Sequence, residues 1–365
     1  MTVALATPAL VLDLDILERN LAAMDDRARR LGVTLRPHVK THKCVEIARR
    51  QTALPGAGGG ITVSTLHEAR VFAEHGFRDI LWAVPVNPHR VEDVAALARQ
   101  ITLRVLVDSD PAVSALERCG QPLHVSLKVD TGYHRAGVDP DDPGTLVLAR
   151  RIHETPHLSF AGLVSHAGHA YRAGSRTEIA AIAEADRARM TSLARRLTAT
   201  GIPVPEVSVG STPTMQVVED LAGVTEVRPG NYALFDWTQV HLGSCSVEDC
   251  ALSVLATVIS SPAGSDHSIV DAGALALSRD PGPSAGGPGF GRVFVDPAAG
   301  GGLAPEVRLT GLSQEHGRVN ARYPVGTRIR ILPNHACLTV AQFDTLHVLR
   351  GPEVVDHWTV WRGRD

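Results

Sequence analysis

Several features that direct a chain to a membrane, a nucleic acid or an oxidising compartment are missing from this one. Nowhere in its 365 residues does an uninterrupted apolar run approach the ~20 residues that a membrane-spanning helix requires. Neither sign of charge is in excess: 36 Lys and Arg against 39 Asp and Glu leave a net charge of -3, no electrostatic footprint for nucleic acid or an anionic membrane surface. Cysteine is scarce. Cys44, Cys119, Cys245, Cys250 and Cys337 are odd in number and scattered, so they imply mostly reduced thiols rather than a disulfide framework. The opening MTVALATPALVLDLD has no basic leader and is broken by Pro8, Asp13 and Asp15, so no secretory signal is expected and the cytoplasm is the default.

What is present reads as a folded protein: 44% apolar and 21% charged residues, with a length that suggests about two domains. Eight short β-rich runs bounded by turn residues occupy 34–40, 60–65, 79–86, 102–109, 123–130, 158–166, 206–212 and 226–236. Helical segments lie among them, for example 15–32 and 176–201. In the latter Ile179, Ile182, Ala183, Met190, Leu193 and Leu197 recur at helical spacing and Gly201 supplies a stop. Eight strands alternating with helices over about 240 residues is the arithmetic of an α/β fold, a (β/α)8 TIM-type barrel, with a doubly wound open sheet as the competing architecture. Beyond residue 240 strand-like runs continue without comparable helices: ALSVLATVIS, HSIVDAGA, TRIRILP, CLTVAQFDTLHVL and EVVDHWTVW. The expected division is therefore a barrel over 15–240 and a C-terminal β domain over 241–365. The opening TPALVLDLD reads as a strand able to pair with either domain, and residues 1–14 are assigned with the second. The Pro/Gly-rich stretch 280–306 reads as a long loop or flap.

In such a barrel the reactive residues lie at the C-terminal ends of the strands. Those ends carry Lys40, Asp130 with the loop through Arg135, His166, Ser211 with Thr212, and Gly230 with Asn231. Lys40 ends a run with Arg36, His38, His42 and Lys43, and neighbouring cations favour the free amine that Schiff-base chemistry needs; a solvated basic loop has the same composition. Gly210-Ser211-Thr212-Pro213-Thr214 and Pro229-Gly230-Asn231-Tyr232 offer backbone amides and hydroxyls to a phosphate, although a turn with a helix cap reads alike. Arg135 follows a strand end in KVDTGYHRAG, where it supplies a fixed cation to a phenolate oxygen or a structural salt bridge. An amine, a phosphate cradle and a phenolate partner together describe pyridoxal 5'-phosphate. In the second domain His335 and Cys337, two apart in an extended segment, project to one side and suit zinc, or else sit in the core. Cys245 and Cys250 have no such histidine and read as structural.

The chain resembles the D-serine dehydratase and D-threonine aldolase group of fold-type III pyridoxal phosphate enzymes, relatives of alanine racemase. TPALVLDLDILERN, RPHVKTHK, KVDTGYHRAG, GSTPT, EVRPGNY, LSQEHG and PNHAC fall in the expected order from end to end. The resemblance implies that Lys40 is the cofactor lysine, Arg135 a partner of the cofactor oxygen and Tyr171 a ring contact. It makes Gly210, Ser211, Thr212, Gly230 and Asn231 the phosphate-binding residues, and His335 with Cys337 the metal pair. It aligns Arg228 with the position that faces the pyridine nitrogen in racemases. It further implies a homodimer with a small-molecule D-amino acid substrate, the active site lying where barrel and β domain meet. One departure is Leu275, in DAGALALS, where relatives often carry Lys; substrate carboxylate recognition there differs.

The reaction expected from the resemblance is loss of water from a D-3-hydroxy amino acid to give a 2-oxo acid and ammonia, with Zn2+ polarising the β-hydroxyl. The aldolases of the group, acting on D-threonine or 3-hydroxy-D-aspartate, usually end the metal pattern in a carboxylate, which suits harder ions; the thiolate of Cys337 selects zinc and favours a dehydratase. A racemase needs no metal, and a non-catalytic pyridoxal-phosphate-binding protein resembles the barrel alone.

Overall fold

The computed structural model describes residues 5–283, 288–295 and 302–364. The chain forms two compact units: one of Met24–Lys40, Ile47–Gly230 and the last residues from Gly363, the other of the residues up to Ala23, Thr41–Glu46 and Asn231–Arg362. Strands are numbered along the chain. β1 (Ala9–Asp13) belongs to the second unit; β2 (Thr34–Leu35), β3 (Ile61–Val63), β4 (Asp79–Pro85), β5 (Thr102–Val107), β6 (Leu123–Lys128), β7 (Leu158–Val164), β8 (Glu206–Val209) and β9 (Glu226–Val227) build the first.

These eight strands pair in parallel in the order β2-β9-β8-β7-β6-β5-β4-β3. The end strands also meet: His38 and Thr62 form a parallel bridge, and the Thr62 amide donates to the Pro37 carbonyl at 2.9 Å. The sheet therefore closes, as the (β/α)8 arithmetic requires and an open doubly wound sheet does not. Each expected run is present, but several are shorter than expected. Lys40 lies in the 3-10 turn Val39–Thr41 rather than on a strand, 206–212 runs into the helix Thr212–Met215, and 226–236 runs into the 3-10 turn Asn231–Ala233. The reason is shared: past the last ladder bond the chain turns outward to build the rim.

Among the surrounding helices, Arg176–Ala199 shows how sequence sets the element. Ser175 caps it by accepting from the Glu178 amide at 3.1 Å, Ile179, Ala183, Asp186, Met190, Leu193 and Leu197 are buried at three- and four-residue spacing, and Gly201 leaves it at φ +84.

The barrel interior is charged at one level. Arg36, at the end of β2, donates from Nε to Glu226 at 2.5 Å and from Nη2 to Asp79 at 3.0 Å; Arg104 bridges Asp79 at 2.8 Å and Glu206 at 2.6 Å. Arg36 and Glu226 are each only 7% exposed. Removing one partner of a buried pair strands the other, so Glu226→Ala is expected to lower unfolding free energy by ~3–5 kcal/mol in chemical denaturation. A change within ~0.5 kcal/mol would show that water solvates Arg36 there.

The second unit is a nine-stranded sheet formed by β1, β10 (Leu252–Ser260), β11 (Ser268–Val270), β12 (Arg292–Phe294), β13 (Leu303–Leu312), β14 (Gly317–Val319), β15 (Arg328–Leu332), β16 (Thr345–Arg350) and β17 (Glu353–Thr359). Its order is β11-β14-β13-β12-β15-β10-β1-β16-β17. β1 settles the pairing left open by sequence: it lies antiparallel to β10 and parallel to β16. Two expectations need correction. The stretch 280–306 is not one loop, since it contains β12 and the start of β13, while its residues 284–287 and 296–301 lie outside the described ones. CLTVAQFDTLHVL is not one strand, because its first residues belong to the helix Ala336–Val340 and only its end is β16. No helix among the described residues is long and apolar enough to cross a membrane.

Candidate active site

All eight barrel strands run the same way, so the residues that follow them gather on one rim. After β2 comes Lys40, half-buried, its amide 3.5 Å from His38 Nδ1. Arg36, expected among the cations crowding Lys40, is instead taken by Glu226 and Asp79.

After β6 the segment Val129–Val138 folds back on itself. The Val138 amide donates to the Lys128 carbonyl, the Asp130 amide to the Val138 carbonyl, both at 2.9 Å. Gly137 permits this at φ +119, since a Cβ there would sit 2.6 Å from the Asp130 nitrogen. Asp130 holds the tip by accepting from the amides of Gly132 at 2.9 Å and His134 at 3.0 Å. Burial disfavours its carboxylate, but those amides and the His134 ring outweigh burial and keep its carboxyl below the usual range. Arg135 is thereby presented on the outside of the turn, its guanidinium carbon 5.1 Å from the centroid of Tyr133. Tyr133 also meets His166 edge-on at 5.9 Å and stacks toward His169 at 6.4 Å. Tyr171 lies half-buried in the following 3-10 turn, Gly168–Arg172.

Positive charge dominates this end of the barrel. Burial and then Lys40, Arg135, Lys128 and Arg228 all push the His166 imidazole well below its ordinary value, which disfavours its charged form. Burial and Arg228 push the Lys128 ammonium down to about 7, with its Nζ donating to the Val129 carbonyl at 3.1 Å. Arg228, buried, donates to Ser208 Oγ and the Ser165 carbonyl. The anions that act on these cations are Asp130, Asp186 and, on Arg228, Glu226; burial raises the Asp186 carboxyl, which accepts from Thr131 Oγ1 at 2.6 Å. An anionic ligand relieves that imbalance. The sequence gives Lys128 and His166 no roles, because only folding shows that Lys128 is buried and His166 half-buried near Lys40 and Arg228.

The two candidate anion segments differ. Gly210, at φ +102, turns the chain out of β8 into Ser211, which caps Thr212–Met215. The Ser211 amide donates to Thr214 Oγ1 at 3.0 Å, and its hydroxyl lies 3.0 Å from that same oxygen. Ser211 is thus already engaged in a capping box, and Thr212 is buried beside it. Gly230 and Asn231 are buried, and their amides donate to no acceptor among the described residues. Buried amides of this kind are costly unless a ligand or an ordered water accepts from them. Asn231 is fixed by its Nδ2, which donates to Asp236 Oδ2 at 2.6 Å.

In the second unit His335 and Cys337 do converge, but not as alternate residues of a strand. His335 is the extended residue (φ -140, ψ 101) preceding the helix Ala336–Val340, and Cys337 is in its first turn. Three further residues, none indicated by sequence, hold them. Asp280 Oδ2 accepts from His335 Nδ1 at 2.9 Å, leaving Nε2 as the nitrogen available to a metal. Asp236 Oδ2 accepts from the Ala336 amide at 2.9 Å. The Cys337 thiol donates to Thr41 Oγ1 at 3.3 Å, and Thr41 is the residue after Lys40 in the chain. Among the described residues no group of three His, Cys, Asp or Glu side chains is placed to hold a metal, so His335 and Cys337 stand as a pair. Asp280→Asn is expected to weaken metal binding ~10–100-fold with cofactor binding unchanged, read by metal titration; unaltered affinity would deny Asp280 its orienting role.

The sequence matches two family models, "Alanine racemase, N-terminal domain" over residues 12–236 and "Putative serine dehydratase domain" over 251–349. It is 43% identical to the D-threo-3-hydroxyaspartate dehydratase of Delftia sp. (strain HT23), covering 97% of each chain. It is 37% identical to the D-serine dehydratase of Dictyostelium discoideum over 94% of this chain and 93% of that protein. A D-threonine aldolase is also related. Among solved structures, a mutant D-threo-3-hydroxyaspartate dehydratase in a metal-free form superposes with TM-score 0.94 at 42% identity, covering 99% of this chain and 98% of that one.

Proposed function

The chain belongs to the fold-type III, alanine racemase-like pyridoxal phosphate family, in its D-serine dehydratase branch, and from that premise we propose that it eliminates water from a D-3-hydroxy amino acid. The products are a 2-oxo acid and ammonia. D-threo-3-hydroxyaspartate and D-serine are the substrates of this reading, supported by the names of relatives that match over nearly the whole chain.

The residues fit the cofactor on observations of their own. The cationic surroundings of His166 suit an anionic phosphate and phenolate oxygen, and the orphaned amides of Gly230 and Asn231 suit a phosphate. Gly210, Ser211 and Thr212 would flank that phosphate, Arg135 would face the phenolate oxygen and Tyr171 the ring. His335 and Cys337 supply the nitrogen and sulfur that suit zinc. When bound, pyridoxal phosphate supplies an electron sink for charge developing at Cα, and zinc a Lewis acid for the β-hydroxyl oxygen.

The chain's own groups carry the rest. Lys40 Nζ, in the turn that follows β2, takes the proton from Cα. The same cations disfavour a further positive charge on His166. Asp280 fixes the His335 ring so that Nε2 keeps one direction, and Thr41 fixes the Cys337 sulfur. The observation that carries the dehydratase reading over the aldolase one is Cys337 itself, a sulfur where the aldolase pattern usually has an oxygen ligand. A second unit bearing that His–Cys pair speaks against a merely cofactor-binding protein. A homodimer is part of the same reading on the strength of the resemblance, and so, apart from it, is a cytoplasmic setting.

The test is a product assay with D-serine, D-threonine and D-threo-3-hydroxyaspartate, with and without a chelator. Pyruvate or oxaloacetate with ammonia, lost on chelation, is expected. Glycine with an aldehyde would replace the reading by the aldolase, inversion with the hydroxyl retained by a racemase, and silence with every substrate by a binding protein.

A further inference from the structure

A second pair of metal-ligating side chains lies in the second unit, outside the residues discussed above. His347 on β16 and His357 on β17 are directly opposed in the antiparallel ladder. Their Nδ1 atoms are 2.8 Å apart, and the rings cross at 89° with centroids 4.9 Å apart. β17 is the last strand of its sheet; His357 is exposed and His347 half-buried, so the nitrogens face each other where solvent ions have access.

We propose that His347 and His357 form a surface site for a borderline divalent transition metal, Zn2+, Ni2+ or Cu2+, separate from the His335–Cys337 pair. Opposed residues of an antiparallel pair bring their Cβ atoms within ~4.5–5.5 Å, so two imidazoles there reach a common point without backbone movement. Two nitrogens bound to one ion at ~2.0–2.1 Å stand roughly 2.9–3.4 Å apart for bond angles between square and tetrahedral. The observed 2.8 Å therefore needs only a small rotation of two side chains. Imidazole suits these metals and disfavours Mg2+ and Ca2+, whose ligands are oxygens. Asp356, next to His357, does not join the pair: its carboxylate accepts from the His357 amide at 2.8 Å and from Trp358 Nε1 at 2.7 Å. Water fills the remaining positions, so the site binds more weakly than one with a thiolate.

The proposal does not depend on the proposed reaction, and its test reads metal alone. Chelator-stripped, untagged full-length protein is titrated with Ni2+ and Zn2+ by calorimetry, as wild type and as Cys337→Ala. Two equivalents per chain are expected for the wild type and one for Cys337→Ala. That last equivalent should weaken at least ~10-fold when His347→Ala or His357→Ala is added, with the circular dichroism spectrum unchanged. Should either histidine variant fail to fold, the other carries the test, since each supplies half of the site. Metal binding that is indifferent to both histidine substitutions, in the wild type and in Cys337→Ala alike, overturns the proposal.

Discussion

Lys40→Ala is expected to abolish turnover and, with it, the visible absorbance that pyridoxal phosphate acquires on bonding covalently to a protein amine. In the proposed reaction two roles fall to this one nitrogen, holding the cofactor and taking the Cα proton, so the loss should exceed the ~10²–10⁴-fold attributed to a general base alone. The fold should survive, because Lys40 is half-buried in a three-residue turn and takes no part in the Arg36–Glu226–Asp79 network. Spectra of the purified variant with added cofactor, beside circular dichroism, check both halves. Retention of the visible band in a folded Lys40→Ala protein would move the covalent role to another amine. Lys128 is the next candidate, being buried with its ammonium already pushed down to about 7.

Replacing Cys337 by alanine should remove the metal that serves the reaction while leaving the cofactor band intact. The change would leave His335 as the one remaining member of the proposed pair, with Asp280 engaged at its Nδ1. Loss of the thiolate should cost metal affinity more than the ~10–100-fold typical of an outer-shell partner, and dehydration should fall with it. Metal analysis and 2-oxo acid formation on the same sample decide the matter. If Cys337→Ala holds its metal as tightly as wild type, the ligand assignment fails; if it loses metal and keeps full activity, the metal is structural.

What the sequence made legible follows physical range. Each barrel strand is a local run of β-branched and apolar residues bounded by turns, so all eight are readable, whereas their ends are not. Whether Lys40 closes a strand or a 3-10 turn depends on where the ladder bonds stop. Arg36 was misread as part of a cationic crowd because its partners lie 190 residues away at Glu226 and 43 residues away at Asp79. His335 and Cys337 stand out as a pair of metal-binding types, yet the alternation argument for their convergence was wrong in detail: a helix start, not a strand, brings them together. Asp280 was invisible, since an acid among prolines and glycines reads as loop, and only the fold carries it across 55 positions to His335. Asp236 is similar. Nothing local marks it as the group that holds both Asn231 and the Ala336 amide.

The most direct measurement is Cα proton exchange in deuterium oxide, made on chelator-treated holoenzyme with D-serine or D-threo-3-hydroxyaspartate. If Lys40 takes the proton and the His335–Cys337 metal serves only departure of the hydroxyl, deuterium enters Cα while 2-oxo acid falls to background. Zinc then restores product, and Lys40→Ala shows neither event. Undiminished 2-oxo acid formation by enzyme shown to be metal-free, or deuterium uptake surviving in Lys40→Ala, would contradict the account.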